Sequence, residues 1–173
     1  MPDLERKLRR LNEWRAAWLD QLQAMPPDKL VARPRPGKWS ILEIVEHLAV
    51  SERVVFQGLP DPSLLVERPR SAEHRFRYLL VAFLLRSGIP LRMPSKALAP
   101  KGGRSLSELR SLWDESQEWL LAYVSQLDAK GLRRAVFEHP AAGPLTVGQV
   151  VHLNQIHIDR HVRQVESLQR LLA

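Results

Sequence analysis

The chain has 173 residues, a net charge of +7 and no cysteine. That is the size of one domain with one core, and it rules out disulfides, thiolate metal ligands and a cysteine nucleophile of its own. Hydrophobic residues make up 45% of the chain and include five tryptophans, enough apolar side chain to build a core without staples. The basic residues are scattered and interleaved with acids, so nucleic acid is not an expected partner. The longest apolar run, Tyr78 to Leu85, is far short of the roughly 20 residues that a membrane-spanning helix needs. The opening MPDLERKLRR is charged and lacks the apolar stretch of a secretory signal, which leads us to expect a cytoplasmic protein.

Residues 1–173 read as a single domain. Leu4, Leu8, Leu11, Trp14, Trp18 and Leu22 recur at three and four, marking one face of a first helix from about Asp3 to Ala24 that Pro26 and Pro27 end. The stretch that follows, rich in proline and glycine, predicts an ordered connection plugged into the core by Trp39. A second helix starts at Ser40, where S-x-x-E reads as a capping box with Glu43, and runs to about Gln57. Its inward stripe is Ile44, His47, Leu48, Ser51, Val54 and Val55, which sets an imidazole in an apolar seam.

Residues 59–104 are the least regular part: Ser71 to Ser87 has helical character, Gly88 to Arg104 is rich in Pro, Gly and Lys, and the whole reads as an insertion over one end of a bundle. A third helix opens at a capping box at Ser105 and carries Leu109, Trp113, Ser116, Leu120, Tyr123 and Leu127 on one face, ending near Asp128. The fourth begins at Thr146, where T-V-G-Q is another capping box. It continues to Leu172 with Val150, His157, His161, Val165 and Leu168 at helical spacing. No strand of convincing alternation appears, so the fold class is all-α.

Positions four apart on a helix lie about 40° apart and about 6 Å along the axis, so His157 and His161 can ligate one ion together. His152 is turned about 140° from His157 by the same arithmetic and is excluded as a ligand. Asn154 and Gln164 fall on the face of the two histidines and line the same patch. Buried polar groups need partners, and two imidazoles need at least one further ligand. His47, on the other core stripe, completes a three-nitrogen metal set. His74 and His139 lie in loop-like context and are expected to be plain surface residues.

R-P-R-P-G-K-W-S-I-L-E-I-V-E-H-L (33–48) resembles the opening motif of the DinB-like/YfiT-like metalloenzyme family. L-T-V-G-Q-V-V-H-L-N-Q-I-H-I-D-R-H-V-R-Q-V (145–165) is similar to that family's final-helix motif. The resemblance spans both ends of the domain and leaves 59–104 unmatched. It implies a four-helix bundle of up-down-down-up arrangement, here with a partly helical insertion between helices 2 and 3. It also implies a divalent metal, commonly zinc or nickel, on His47, His157 and His161. For some members it implies transfer to or from a low-molecular-weight thiol such as bacillithiol, mycothiol or glutathione. The chain departs from the family in Val162-Arg163, where Arg-Gly often precedes the Gln, and in its long insertion.

The resulting expectation is a metal-dependent, thiol-dependent transferase acting on a small molecule, the thiol arriving with the co-substrate because the chain has no cysteine. Two alternatives stay open. One is a metal-dependent hydrolase in which Glu43, one turn before His47, assists catalysis unless the capping box occupies it. The other is a non-enzymatic metal-binding or stress-related module. The outer helix faces and exposed tryptophans leave room for a homodimer.

Overall fold

Four helix starts carry reciprocal side-chain caps: Ser40 with Glu43, Ser71 with His74, Ser105 with Glu108 and Thr146 with Gln149. Each satisfies two backbone N–H groups that an open helix end would leave bare. The computed structural model describes residues 2–65, 67, 71–89 and 98–172. Its helices are α1 (Pro2–Gln23), α2 (Pro27–Val31), α3 (Ile41–Gln57), α4 (Ala72–Arg86), α5 (Leu106–Ser125) and α6 (Val147–Leu171). Three of the caps are the ones the sequence predicts. The fourth, at Ser71, uses an imidazole in place of the usual Glu or Gln, which hides it from the motif.

The bundle is made by α1, α3, α5 and α6, and its two core clusters give the helix directions. Leu8, Phe56, Leu127 and Val147 gather at one end, while Leu22, Ile41, Leu106 and Leu168 gather at the other. So α1 and α6 run one way and α3 and α5 the other, the up-down-down-up arrangement. Trp113, fully buried, meets Trp18 edge to face at 6.3 Å between the second cluster's helices. The predicted α5 face is buried throughout, from Leu109 to Leu127. Replacing the cap residue Thr146 by Ala is expected to cost about 1 kcal/mol of stability in chemical denaturation, with fraying at the start of α6.

Three expectations change. The stripe on α3 is broader than one seam: Glu46, His47, Ala49 and Glu52 are buried along with Ile44 and Leu48, because α5 and α6 pack on it from two sides and residues 102–104 reach it through Glu46. Val54, predicted inward, is 54% exposed. The chain between α5 and α6 forms an antiparallel hairpin, β1 (Ala135–His139) with β2 (Gly143–Thr146), which the sequence does not reveal. Both strands are short, the pairing is irregular between Ala135 and Phe137, and every residue of β2 is buried, so no alternation of polar and apolar residues exists to be read.

The insertion does not simply cover one end. Helix α4 lies against α6 and β2, with Ala82 buried. Residues 90–97 of the predicted Pro/Gly/Lys-rich segment lie outside the described residues. Among the described residues no helix is long and apolar enough to cross a membrane.

Candidate metal centre

Helix α3 supplies His47 and α6 supplies His157 and His161. One ring nitrogen of each lies within 4.8 Å of the others. The ring centroids are 4.7 to 5.1 Å apart and the planes meet at 65° to 87°, so the three imidazoles stand edge to face around one point. Nε2 of His47 is 3.2 Å from Nε2 of His157. Two nitrogens bound to one tetrahedral ion at ordinary zinc distances are about 3.3 Å apart. The donor set therefore fits a divalent ion that accepts imidazole.

Hydrogen bonds set the tautomers. His47 donates Nδ1–H to the carbonyl of Leu98 at 2.8 Å, and His161 donates Nδ1–H to Oε1 of Gln164 at 2.9 Å. A carbonyl can only accept, so each bond leaves the Nε2 lone pair free, as metal-ligating histidines require. Burial lowers the pKa of all three rings: His161 falls to about 4, helped by the charge of His47, and His157 falls well below the usual imidazole value, with His161 and His47 adding to the effect. All three are neutral at pH 7, the ligating form.

The site opens on a cavity of about 810 Å³. Its walls are mainly apolar, with Trp39, Val81, Leu85 and Leu98 beside the histidines, and among the described residues no carboxylate lines it. Trp39 packs its ring 5.0 Å from that of His47 and 6.4 Å from that of His161. The insertion is part of this wall. Arg160 donates to the carbonyls of Leu85 and Ile89, tying the end of α4 to α6, and Glu46 accepts from the N–H of Gly102 at 2.8 Å and from Arg104. That second tether holds the segment bearing Leu98 against His47.

Residues 10–165 match the model of the DinB superfamily. The chain belongs to this superfamily. YfiT from Bacillus subtilis, described as a probable metal-dependent hydrolase with an unusual four-helix bundle topology, superposes with a TM-score of 0.61 at 20% identity, covering 99% of this chain and 89% of that one. TT2238, a four-helix bundle protein, superposes with a TM-score of 0.54 at 23% identity, covering 94% and 95%. At these identities the likeness is one of fold. No curated protein matches the chain.

Within this DinB-superfamily bundle the other predicted residues fall as follows. Gln164 and Asn154 line the cavity, Gln164 bonded to a histidine and Asn154 beside the buried Glu52. Glu43 is not at the cavity. Its carboxylate closes the cap on the N–H of Ser40 and pairs with Arg33, which removes it as a candidate acid or base. His152 does turn away, held by Tyr78 and by Arg86.

His74 and His139 are not plain surface residues. His74 caps α4 and lies so close to Gly143, itself at φ +73°, that a Cβ there would sit 2.8 Å from its ring. His139 lines the cavity. Its Nδ1 accepts the N–H groups of Ala141 and Ala142, so the proton sits on Nε2.

Sequence reasoning missed Leu98, Glu46 and Glu52. Nothing local marks a carbonyl as a histidine's partner, and both glutamates read as outward-facing until the packing of α3 is known. Removing the Gln164 amide is expected to lower metal affinity by about tenfold, measured by competition with a chelator, because His161 would lose the bond that orients its ring and fixes its tautomer.

Proposed function

We propose that this protein is a divalent-metal-dependent transferase that joins a low-molecular-weight thiol to a small, largely apolar molecule. The observation that carries the reading is the convergence of three neutral imidazole nitrogens on the wall of an apolar cavity without a lining carboxylate among the described residues. A divalent ion there, with zinc or nickel suited to nitrogen ligands, supplies Lewis-acid chemistry that lowers the pKa of a thiol or a water.

The chain's own residues divide the remaining tasks. His47, His157 and His161 hold the ion and, being three, leave room for a reactant. Trp39 and the aliphatic walls keep bulk water away and receive an apolar group. Arg163 on the cavity wall offers a guanidinium to a carboxylate of the thiol, and His139 offers an Nε2–H as a neutral donor. Hydrolysis of an unactivated substrate ordinarily recruits a carboxylate or imidazole base beside the water. Glu43 is engaged elsewhere and His139 carries its proton on the free nitrogen, so no described side chain on the cavity wall itself stands as such a base beside a water.

A hydrolase is the second reading, favoured by the fold likeness to YfiT. The two separate in one experiment: zinc-loaded or nickel-loaded protein incubated with glutathione, mycothiol or bacillithiol and an aromatic electrophile, beside an ester panel without thiol. Thiol-dependent conjugation that disappears in the His157→Ala, His161→Ala variant is the expected result. Ester cleavage without thiol, coupled to no conjugation, would replace the transferase with the hydrolase.

A further inference from the structure

Among the buried polar atoms of the described residues, six on α1, α3 and α5, besides the Tyr123 hydroxyl, make no hydrogen bond of ordinary length and angle. They are Oδ1 of Asn12 and Nε and Nη1 of Arg15 on α1, Oε1 of Glu52 on α3, and Nε1 of Trp113 and Oε1 of Gln117 on α5. Arg15, Glu52, Trp113 and Gln117 are joined to one another. Gln117 donates to the other carboxylate oxygen of Glu52, Arg15 stands over the Trp113 ring at 5.2 Å and pairs with Asp114, and the indole N–H approaches the Glu52 carboxyl. The fourth helix contributes Asn154, whose side chain also approaches Glu52 and which lines the cavity of the histidine site. Glu52 is 1% exposed, Gln117 1% and Arg15 3%.

Buried polar groups in native proteins are almost always satisfied, by protein or by ordered water. A bundle could fill this layer with leucine at lower cost, since burying a carboxyl is destabilising even where neutral donors surround it. Its connection to the cavity through Asn154 is what gives it a use.

We propose that this layer is a hydrated proton store for the histidine site, with Glu52 as its acceptor and Asn154 positioning the water that links the two. The inference rests on the reading of that site as one that deprotonates a nucleophile. When the nucleophile's X–H bond breaks, its electron pair stays on X and its proton passes through water to Glu52, forming a carboxylic O–H. The pair on X then forms the bond to the electrophile as the bond to the leaving group breaks with its pair going to that group, and the Glu52 O–H gives its proton to the leaving group, so the cycle is balanced. The charged groups around Glu52 are Arg15 from α1 and its partner Asp114 from α5. Trp113, Gln117 and Asn154 are neutral, so the carboxyl can exist in both forms. Burial raises its pKa to about 7, which agrees with this use.

Two measurements on the full chain test the idea. Carbon-13 NMR of the glutamate side chains in metal-free protein, assigned with Glu52→Gln, should show Glu52 titrating near neutrality, with its midpoint moved in Asn154→Ala. A Glu52 that stays ionised from about pH 5 upward overturns the proposal. Calorimetry of 2-mercaptoethanol binding to zinc-loaded protein, in two buffers of different ionisation heat, counts protons released. Wild type should release fewer than Glu52→Gln by up to about one proton per thiol bound. Equal counts overturn it, because a purely structural Glu52 leaves the count unchanged. A zinc-loaded wild type that binds no thiol would instead strike the thiol reading of the site, with the NMR result still deciding whether Glu52 holds a proton.

Discussion

Purified without an affinity tag or added metal, the protein should carry about one zinc or nickel ion per chain by elemental analysis, and the His157→Ala, His161→Ala variant should carry none. The two side chains supply two of the three nitrogens that converge within 4.8 Å, and His47 alone cannot hold an ion against solvent. The loss in affinity should exceed the roughly 10- to 100-fold typical of losing a group that only orients a ligand. Acid should remove the metal late. A free imidazole begins to compete for protons near pH 6.5, whereas the pKa of His161 is about 4 and that of His157 is also depressed, so these ligands stay deprotonated well below neutrality. A wild type that shows no metal after incubation with zinc and desalting would reject the metal centre outright.

The second large effect is on stability against pH, where Glu52→Gln should stabilise the metal-free protein by up to about 3 kcal/mol at pH 8 and by little at pH 4. The sign follows from proton counts. The folded pKa of Glu52 is about 7 against 4.5 ordinarily, chiefly because the carboxyl is buried. Between those values the folded state therefore binds more protons than the unfolded one, and stability falls as pH rises. Above about 7 the full cost of burying the charge is present, and Gln avoids it while keeping an amide for its neighbours.

The histidines slope the other way. Their folded pKa values are depressed, so the stability they contribute is present above about 6.5 and is lost as pH falls, for His161 down to about 4. The two slopes oppose each other in wild type between about pH 4.5 and 6.5, and Glu52→Gln leaves the histidine slope exposed as a steeper acid loss. Urea midpoints taken at several pH values measure both. An identical pH dependence in wild type and variant would mean that Glu52 is ionised in the fold at an ordinary pKa.

Much of this architecture is a local property of the chain. Helix periodicity, the caps at Ser40, Ser105 and Thr146, and the i, i+4 spacing of His157 and His161 each depend on residues within a turn or two of one another, so they are legible in sequence order. His47 is legible the same way, as an imidazole in an apolar stripe. Glu43 shows where such reasoning stops: the motif offers both a cap and a carboxylate near a ligand, and only the partner Arg33 with the closed capping box shows which one is used.

What the tertiary structure decided is everything that depends on a second surface. The carbonyl that sets the tautomer of His47 comes from 51 residues away, and the amide that meets Glu52 from 65 residues away. A one-dimensional pattern carries no record of such approaches. Periodicity predicts one buried face for α3, yet that helix packs between α5 and α6 and is reached by residues 102–104 as well, so residues with outward spacing become interior. That is why Glu46 became the tether of the site's outer wall and Glu52 the centre of a buried polar layer. The nature and spacing of the candidate ligands were set by local sequence, and their enclosure, tautomers and proton environment were set by how the helices pack.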